Sequence, residues 1–269
     1  MDFLVLSFLS VFLIVITLIA LAYTVNIFFA SALYRGRISD NFDGKRFYNI
    51  GWKAGETLRL TQTEEEFLGK KHKNGFLTFY KWILNQKISF WKKRPIRPSI
   101  PPDIHTGDTV RITYVGHATV LIQTAGLNIL TDPVWSTRAS PVEWIGPRRY
   151  TEPGIAFEHL PKIDIVLLSH NHYDHMDVVT LRKLSEKDSP MIYTGLGNKA
   201  YLTKRKIHNV IEMDWWHEAQ NENTDIKITF LPSQHFSARG ITDRNRTLWG
   251  GFALEIQGKS LYFAGDTGM

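Results

Sequence analysis

The chain of 269 residues contains no cysteine. That excludes a disulfide scaffold, a thiolate nucleophile, iron–sulfur ligation and cysteine-based zinc fingers. It leaves the compartment open, because a chain without cysteine suits either redox environment. Charge is lacking across residues 3–33, where no Asp, Glu, Lys or Arg occurs. Internal repeats are lacking, and so is any recognition motif of a nucleic-acid-binding family, so the formal charge of +6 does not point to nucleic acid as a partner. What is present, 43% apolar and 22% charged residues, excludes a wholly disordered chain and suffices for a real core.

The positive charge is unevenly placed. Residues 35–100 hold 15 Lys and Arg against 6 Asp and Glu, whereas residues 101–269 hold 17 against 19. The basic character therefore belongs to the N-terminal third, with its densest run at Lys92-Lys93-Arg94 among the prolines Pro95, Pro98, Pro101 and Pro102. Such a run reads either as a solvated, proline-stiffened linker or as a segment that meets an anionic membrane surface.

The preceding segment favours the membrane. Residues 3–25 form an apolar stretch interrupted only by scattered Ser and Thr that a helix satisfies internally, and about 20 helical residues cross a hydrocarbon core of roughly 30 Å. A cleavable signal peptide is the rival, with Ala30-Ser31-Ala32 resembling a cleavage site. Against it stand Asp2, the absence of Lys or Arg before the apolar run, and a run far longer than the usual h-region of about 7–15 residues. Arg35, Arg37, Lys45 and Arg46 follow the span and place the body of the protein in the cytoplasm by the positive-inside rule. The expected organisation is an anchor over residues 1–34, a basic connector with short helices over 35–109 and a catalytic domain over 110–269. Within the connector, Thr63-Glu64-Glu65-Glu66 reads as a capping box opening a short helix, and residues 76–86 as a second one.

Chemistry begins after Val110. Residues 110–115, 119–123 and 127–131 read as strands, and residues 163–168 as a strand buried on both faces. That last strand delivers Ser169-His170-Asn171-His172-Tyr173-Asp174-His175, an H-x-H-x-D-H run with four potential ligands in six residues. Three imidazoles side by side in a core would each need a hydrogen-bonding partner, and a divalent metal takes their lone pairs instead. A solvated, His-rich loop is the competing interpretation of the run. A short loop cannot enclose a metal alone, and two further strand ends supply partners. Residues 226–231 deliver His235, and residues 260–264 deliver Asp266 within Gly265-Asp266-Thr267-Gly268, a sequence that is also a good turn.

This arrangement resembles the metallo-β-lactamase superfamily, and within it the N-acyl-phosphatidylethanolamine phospholipase D branch. The words that carry the likeness are Val115-Gly116-His117-Ala118-Thr119, Leu130-Thr131-Asp132-Pro133, Gly146-Pro147-Arg148-Arg149, the run from Ser169, Glu212-Met213-Asp214-Trp215-Trp216, Pro232-Ser233-Gln234-His235, Leu248-Trp249-Gly250 and Phe263-Ala264-Gly265-Asp266. The resemblance covers residues 110–269 and implies an α/β fold, the αββα sandwich. It implies one metal, expected to be zinc, on His170, His172 and His235, and a second on Asp174 and His175 with Asp266 between the two. A hydroxide held by the pair would attack a phosphodiester, with Asp174 as the residue that orients the water or accepts its proton. Asp132 is either a partner for a ligand His or a turn residue before Pro133, and His117 either lines the cleft or is structural. The family's second metal takes a further His beyond Gly-Asp-Thr-Gly, so the sequence as given is expected to be a fragment, its sandwich incomplete at the C-terminal end.

Two functions of different class follow. One is a membrane-anchored metal-dependent hydrolase cleaving a phosphodiester of N-acyl-phosphatidylethanolamine-type phospholipids, with lactones or other esters as the competing substrates. The other is a catalytically incomplete membrane-bound fragment.

Overall fold

The computed structural model describes residues 3–50, 96–144, 146–221 and 226–268. The capping box from Thr63 and the helix expected over residues 76–86 lie outside the described residues. The chain opens with helix α1 (Phe3–Phe29), whose 22-residue stretch Phe8–Phe29 has a mean hydropathy of 2.6 and is long and apolar enough to cross a membrane. The most apolar 18-residue window of that stretch has no buried residue, and side chains such as Phe12, Leu18 and Ile19 stand exposed, whereas Asn26 near its end is buried.

A mixed sheet follows, built from β1 (Arg111–Gly116), β2 (Thr119–Thr124), β3 (Leu127–Thr131), β4 (Ile165–Leu168), β5 (Met191–Gly195) and β6 (Val210–Met213), in that spatial order. Tight turns make β1–β2 and β2–β3 antiparallel, and longer crossovers make β3–β4, β4–β5 and β5–β6 parallel. The crossover from β4 to β5 carries helix α2 (Val178–Lys187), and that from β5 to β6 carries helix α3 (Asn198–Thr203). A second, antiparallel sheet runs β10-β9-β8-β7, from β7 (Glu218–Asn221), β8 (Ile226–Leu231), β9 (Gly251–Ile256) and β10 (Lys259–Phe263).

The sheets pack face to face. Ile122, Ile129, Ile165, Leu167 and Tyr193 of the first meet Ile226, Ile228, Phe230, Phe252, Leu254 and Ile256 of the second. On the other face of the first sheet, Leu121, Leu130, Val166, Leu168 and Ile192 pack against Leu181 and Leu184 of α2 and Tyr201 and Leu202 of α3. Strand β4 (IVLL) is buried at all four positions, which a strand covered by helices on one side and a sheet on the other requires. The expected mixed α/β class is therefore present as helices, sheet and sheet; among the described residues no helix covers the outer face of the second sheet. The segment after α1 joins this core, because Phe42 and Phe47 are fully buried and belong to the same apolar cluster.

Candidate metal centre

Five chain reversals at the strand ends meet at one edge of the two sheets. Strand β4 ends at Leu168 and releases Ser169–Asp177, β3 releases Asp132, β8 leads to His235, β10 leads to Asp266, and the β1–β2 turn carries His117. Close backbone approach sets this edge. A Cβ on Gly250 would meet the Leu231 carbonyl at 2.3 Å, and Gly265, at φ +59°, would push a Cβ to 2.6 Å from Ser169 Cβ.

All six residues expected from the sequence to act as ligands converge here. His170 Nε2 lies 2.9 Å from His172 Nδ1, and His235 Nε2 lies 3.2 Å from the same atom. His175 Nε2 is 3.3 Å from Asp266 Oδ2, which lies 3.6 Å from His235 Nε2 and so stands between the two groups. Asp174 Oδ2 is 4.0 Å from His175 Nε2. The ligand atoms of His170, His172 and His235 fall within 4.8 Å of one another, as do those of His117, Asp174 and His175. Ligand atoms at about 2.0–2.1 Å in a tetrahedral zinc site lie roughly 3.3 Å apart, so the three-histidine group fits such an ion. A rim of nitrogen and carboxylate donors with no thiolate suits zinc and other divalent ions of similar preference.

Two residues left open by the sequence have defined places. Asp132 is fully buried, and its Oδ2 accepts from His175 Nδ1 at 2.6 Å and from Ser169 Oγ at 2.6 Å, while Oδ1 accepts from Ser169 N at 2.7 Å. It does this from a left-handed turn at φ +31°, a conformation rare for a non-glycine residue and concentrated at functional sites. His117, also left-handed at φ +51°, is half exposed and sets Nε2 3.3 Å from both Asp174 Oδ2 and His175 Nε2. Ser169 Oγ lies 2.9 Å from His170 Nδ1. His105, His159, His208 and His217 belong to none of these groups of ligand atoms.

Electrostatics split the histidines. Burial, with His175 and His172 nearby, holds His170 well below its ordinary pKa. Burial and the adjacent His235 push His172 down to about 4, and burial lowers His235. These rings are neutral at pH 7, the state that donates a lone pair. His175 goes the other way: burial alone would lower it, yet the charge and hydrogen bond of Asp132, with Asp266 beyond, raise it to about 10. Burial would likewise raise Asp174, but the hydrogen bond from His117 and the charge of His175 bring it down to about 2. Asp266 is lowered chiefly by its hydrogen bond to His175.

Two facing sheets with a cluster of His and Asp at their strand ends define a class: an α/β domain carrying a candidate metal centre. Residues 127–269, more than half of the chain, match the family model of the Beta-lactamase superfamily domain, and the chain belongs to that superfamily. Among curated proteins it is similar to N-acyl-phosphatidylethanolamine-hydrolyzing phospholipase D 1 of Caenorhabditis elegans, with 32% identity over 253 residues, 89% of this chain and 66% of that protein. It is also similar to the mitochondrial N-acyl-phosphatidylethanolamine-hydrolyzing phospholipase D of Saccharomyces cerevisiae, with 39% identity over 159 residues, 58% of this chain and 34% of that protein. The chain thus spans between about a third and two thirds of the length of these relatives. Among solved structures it is similar to Igni18, a metallo hydrolase of Ignicoccus hospitalis, at a TM-score of 0.43 and 24% identity over 60% of this chain and 62% of that one.

Proposed function

We propose that the protein is a membrane-anchored, metal-dependent hydrolase that cleaves a phosphodiester of N-acyl-phosphatidylethanolamine-type phospholipids. The observation that carries this is the gathering of His170, His172, Asp174, His175, His235 and Asp266 at one sheet edge. The printed activity of the relatives, N-acyl-phosphatidylethanolamine hydrolysis, supports the substrate class. Two zinc ions are the proposed cofactors, the first on His170, His172 and His235, the second on Asp174 and His175, with Asp266 shared. When bound, such ions acidify water and neutralise charge on a phosphodiester oxygen.

The remaining work falls to the chain's own side chains. Asp174 stays ionised at neutral pH and is half open to the cleft, so its carboxylate orients a water or accepts its proton. His117 Nε2 sits 3.3 Å from that carboxylate and fixes its direction. Asp132 holds the Nδ1–H of His175 and so commits its Nε2 to the cleft, while Ser169 does the same for His170. The anchor and the basic residues behind it would hold this cleft near anionic headgroups, with the body of the protein on the cytoplasmic side.

The test is release of phosphatidic acid from N-acylated phosphatidylethanolamine by purified full chain loaded with zinc, with His172→Ala as the control. Expected are about two metals per chain and loss of lipid turnover in the variant. Turnover of lactones without turnover of that lipid would reject the substrate, and a chain that binds no metal would reject the reaction.

A further inference from the structure

The segment that leaves α1 reaches into both loops that carry the three-histidine group. Its first grip is Ser31, 1% exposed, whose Oγ accepts from Asn171 Nδ2 at 3.0 Å. Asn171 stands between His170 and His172 and is itself fully buried. Its side-chain Oδ1 has no hydrogen-bond partner among the described residues, so there Ser31 is what fixes the amide in place. Its main-chain carbonyl accepts from Arg239 Nη1 at 2.8 Å. Asp243 couples these parts: its carboxylate accepts from the N–H of Ser31 at 2.6 Å, of Gly240 at 2.7 Å and of Arg239 at 3.1 Å. One turn earlier, the buried Asn26 accepts from Ile241 N at 2.6 Å and donates to Thr242 Oγ1 at 2.8 Å, which pins the end of α1 to the same loop.

The second grip is Asn49. Its Oδ1 accepts from His235 N at 3.1 Å, and its Nδ2 donates to the His235 carbonyl at 3.0 Å. A side-chain amide paired with both main-chain groups of one residue fixes that residue's backbone as a neighbouring strand would. The same Oδ1 takes a bond from Trp249 Nε1 at 3.0 Å, tying the pair to the core. Phe42 and Phe47, buried in the core cluster, hold the strap in place between the two grips.

We propose that residues 26–49 are a strap that sets the spacing of His170, His172 and His235, with Ser31 and Asn49 as positioning residues for the first metal. The proposal rests on the metal assignment above. Groups that hold a ligand from behind commonly contribute about 10–100-fold in metal affinity. The bonds of Ser31 and Asn49 to these loops go to Asn171 and His235, beside or on the three-histidine group, so the effect is expected on the first ion rather than the second. It also joins the end of α1 to the metal loops through the bonds of Asn26 and Ser31.

The experiment titrates Co²⁺ into the metal-free full chain in detergent and follows the visible d–d absorbance, for wild type, Asn49→Ala, Ser31→Val and Ser31→Thr. Val and Thr have nearly the same shape and differ in the hydroxyl, so their comparison isolates the bond to Asn171. The expected result is that Asn49→Ala and Ser31→Val weaken one Co²⁺ by about tenfold or more and alter its spectrum, while the other is bound as before and Ser31→Thr behaves as wild type. Unchanged affinities and spectra in the folded variants, even with a lowered melting temperature, would overturn the strap and leave the metal assignment standing. Wild type that binds no Co²⁺ would overturn both. Should a variant not fold, hydrogen exchange at the His235 amide of the wild type decides: protection equal to that of the core strands is expected, and exchange at the rate of an open loop overturns the proposal.

Discussion

At the scale of single residues, Asp132 has the most to lose. It is a fully buried carboxylate whose partners, Ser169 and His175, both belong to the metal loop. Asp132→Ala is expected to lower metal affinity about 10–100-fold, measured by competition with a chromophoric chelator; wild-type affinity would remove Asp132 from the site. The titrating histidines add a second expectation for the metal-free protein. His172 falls to about 4 when folded against about 6.5 unfolded, so between those values the unfolded chain binds more protons and stability rises with pH. His175 rises to about 10, so its contribution is whole below about 6.5 and is lost as pH climbs through 10. The chelator-treated protein should therefore melt highest near pH 6.5 and lower at pH 5 and pH 9, and His175→Gln should flatten the alkaline side. An alkaline side unchanged in that variant would contradict the assignment. At this scale the sequence was informative wherever residue types clustered: H-x-H-x-D-H, then His235 and Asp266 at later strand ends. His117 and Asp132 were ambiguous because each stands alone in the chain, and what assigns them is a backbone turn at positive φ that composition does not reveal.

At the scale of elements, the loop that holds the ligands depends on how α2 begins. Asp177 caps the helix by accepting from Val179 N at 3.1 Å and from Thr180 N at 3.4 Å, and its other oxygen accepts from Thr180 Oγ1 at 2.6 Å, Trp135 N at 3.2 Å and Ser136 N at 2.9 Å. One carboxylate therefore anchors the end of the metal loop, the first turn of α2 and the segment after β3. Asp177→Ala should cost about 2 kcal/mol or more, beyond an isolated cap, because Ser136 N also loses its acceptor and Trp135 N keeps only Thr180 Oγ1. A urea-unfolding midpoint within error of wild type would show that water replaces all of these bonds. Strand legibility followed burial. Residues 127–131 and 226–231 were read with the bounds observed, and β4 within two residues, because their apolar runs reflect packing on one or both faces. Strand β7 (EAQN) carries no such pattern; it is an edge strand made by pairing with β8. Strand β9 begins at Gly251, and Gly250-Gly251 is a close approach to the Leu231 and Phe263 carbonyls of neighbouring strands.

At the scale of the whole molecule, the question is whether α1 stays attached. A signal-peptide cut after Ala32 would remove Asn26 and Ser31 together with the apolar helix. Asn171 would then lose the acceptor of its side-chain amide in a fully buried position, and Ile241 N and Thr242 Oγ1 would lose Asn26. Leaving the buried Asn171 amide unpaired costs about 1–3 kcal/mol, a sizeable part of the stability of a domain this size, whereas Ile241 and Thr242 are exposed and can bond to water instead. A sequence selected for cleavage would not route bonds of its mature core through the discarded piece, so the contacts favour a retained anchor. The expected outcome is a mature chain that keeps Asn26 and Ser31, found in the membrane pellet after alkaline extraction. The absence of cysteine makes orientation directly measurable. Lys162→Cys places one thiol on an exposed residue before β4, at the opposite end of that strand from the metal loop. The proposed cytoplasmic orientation, argued from Arg35, Arg37, Lys45 and Arg46 by the positive-inside rule, predicts that a membrane-impermeant maleimide labels it in inverted vesicles and not in sealed cells. Labelling in sealed cells would reverse the orientation, and an N-terminus beginning after Ala32 would show the helix to be a leader.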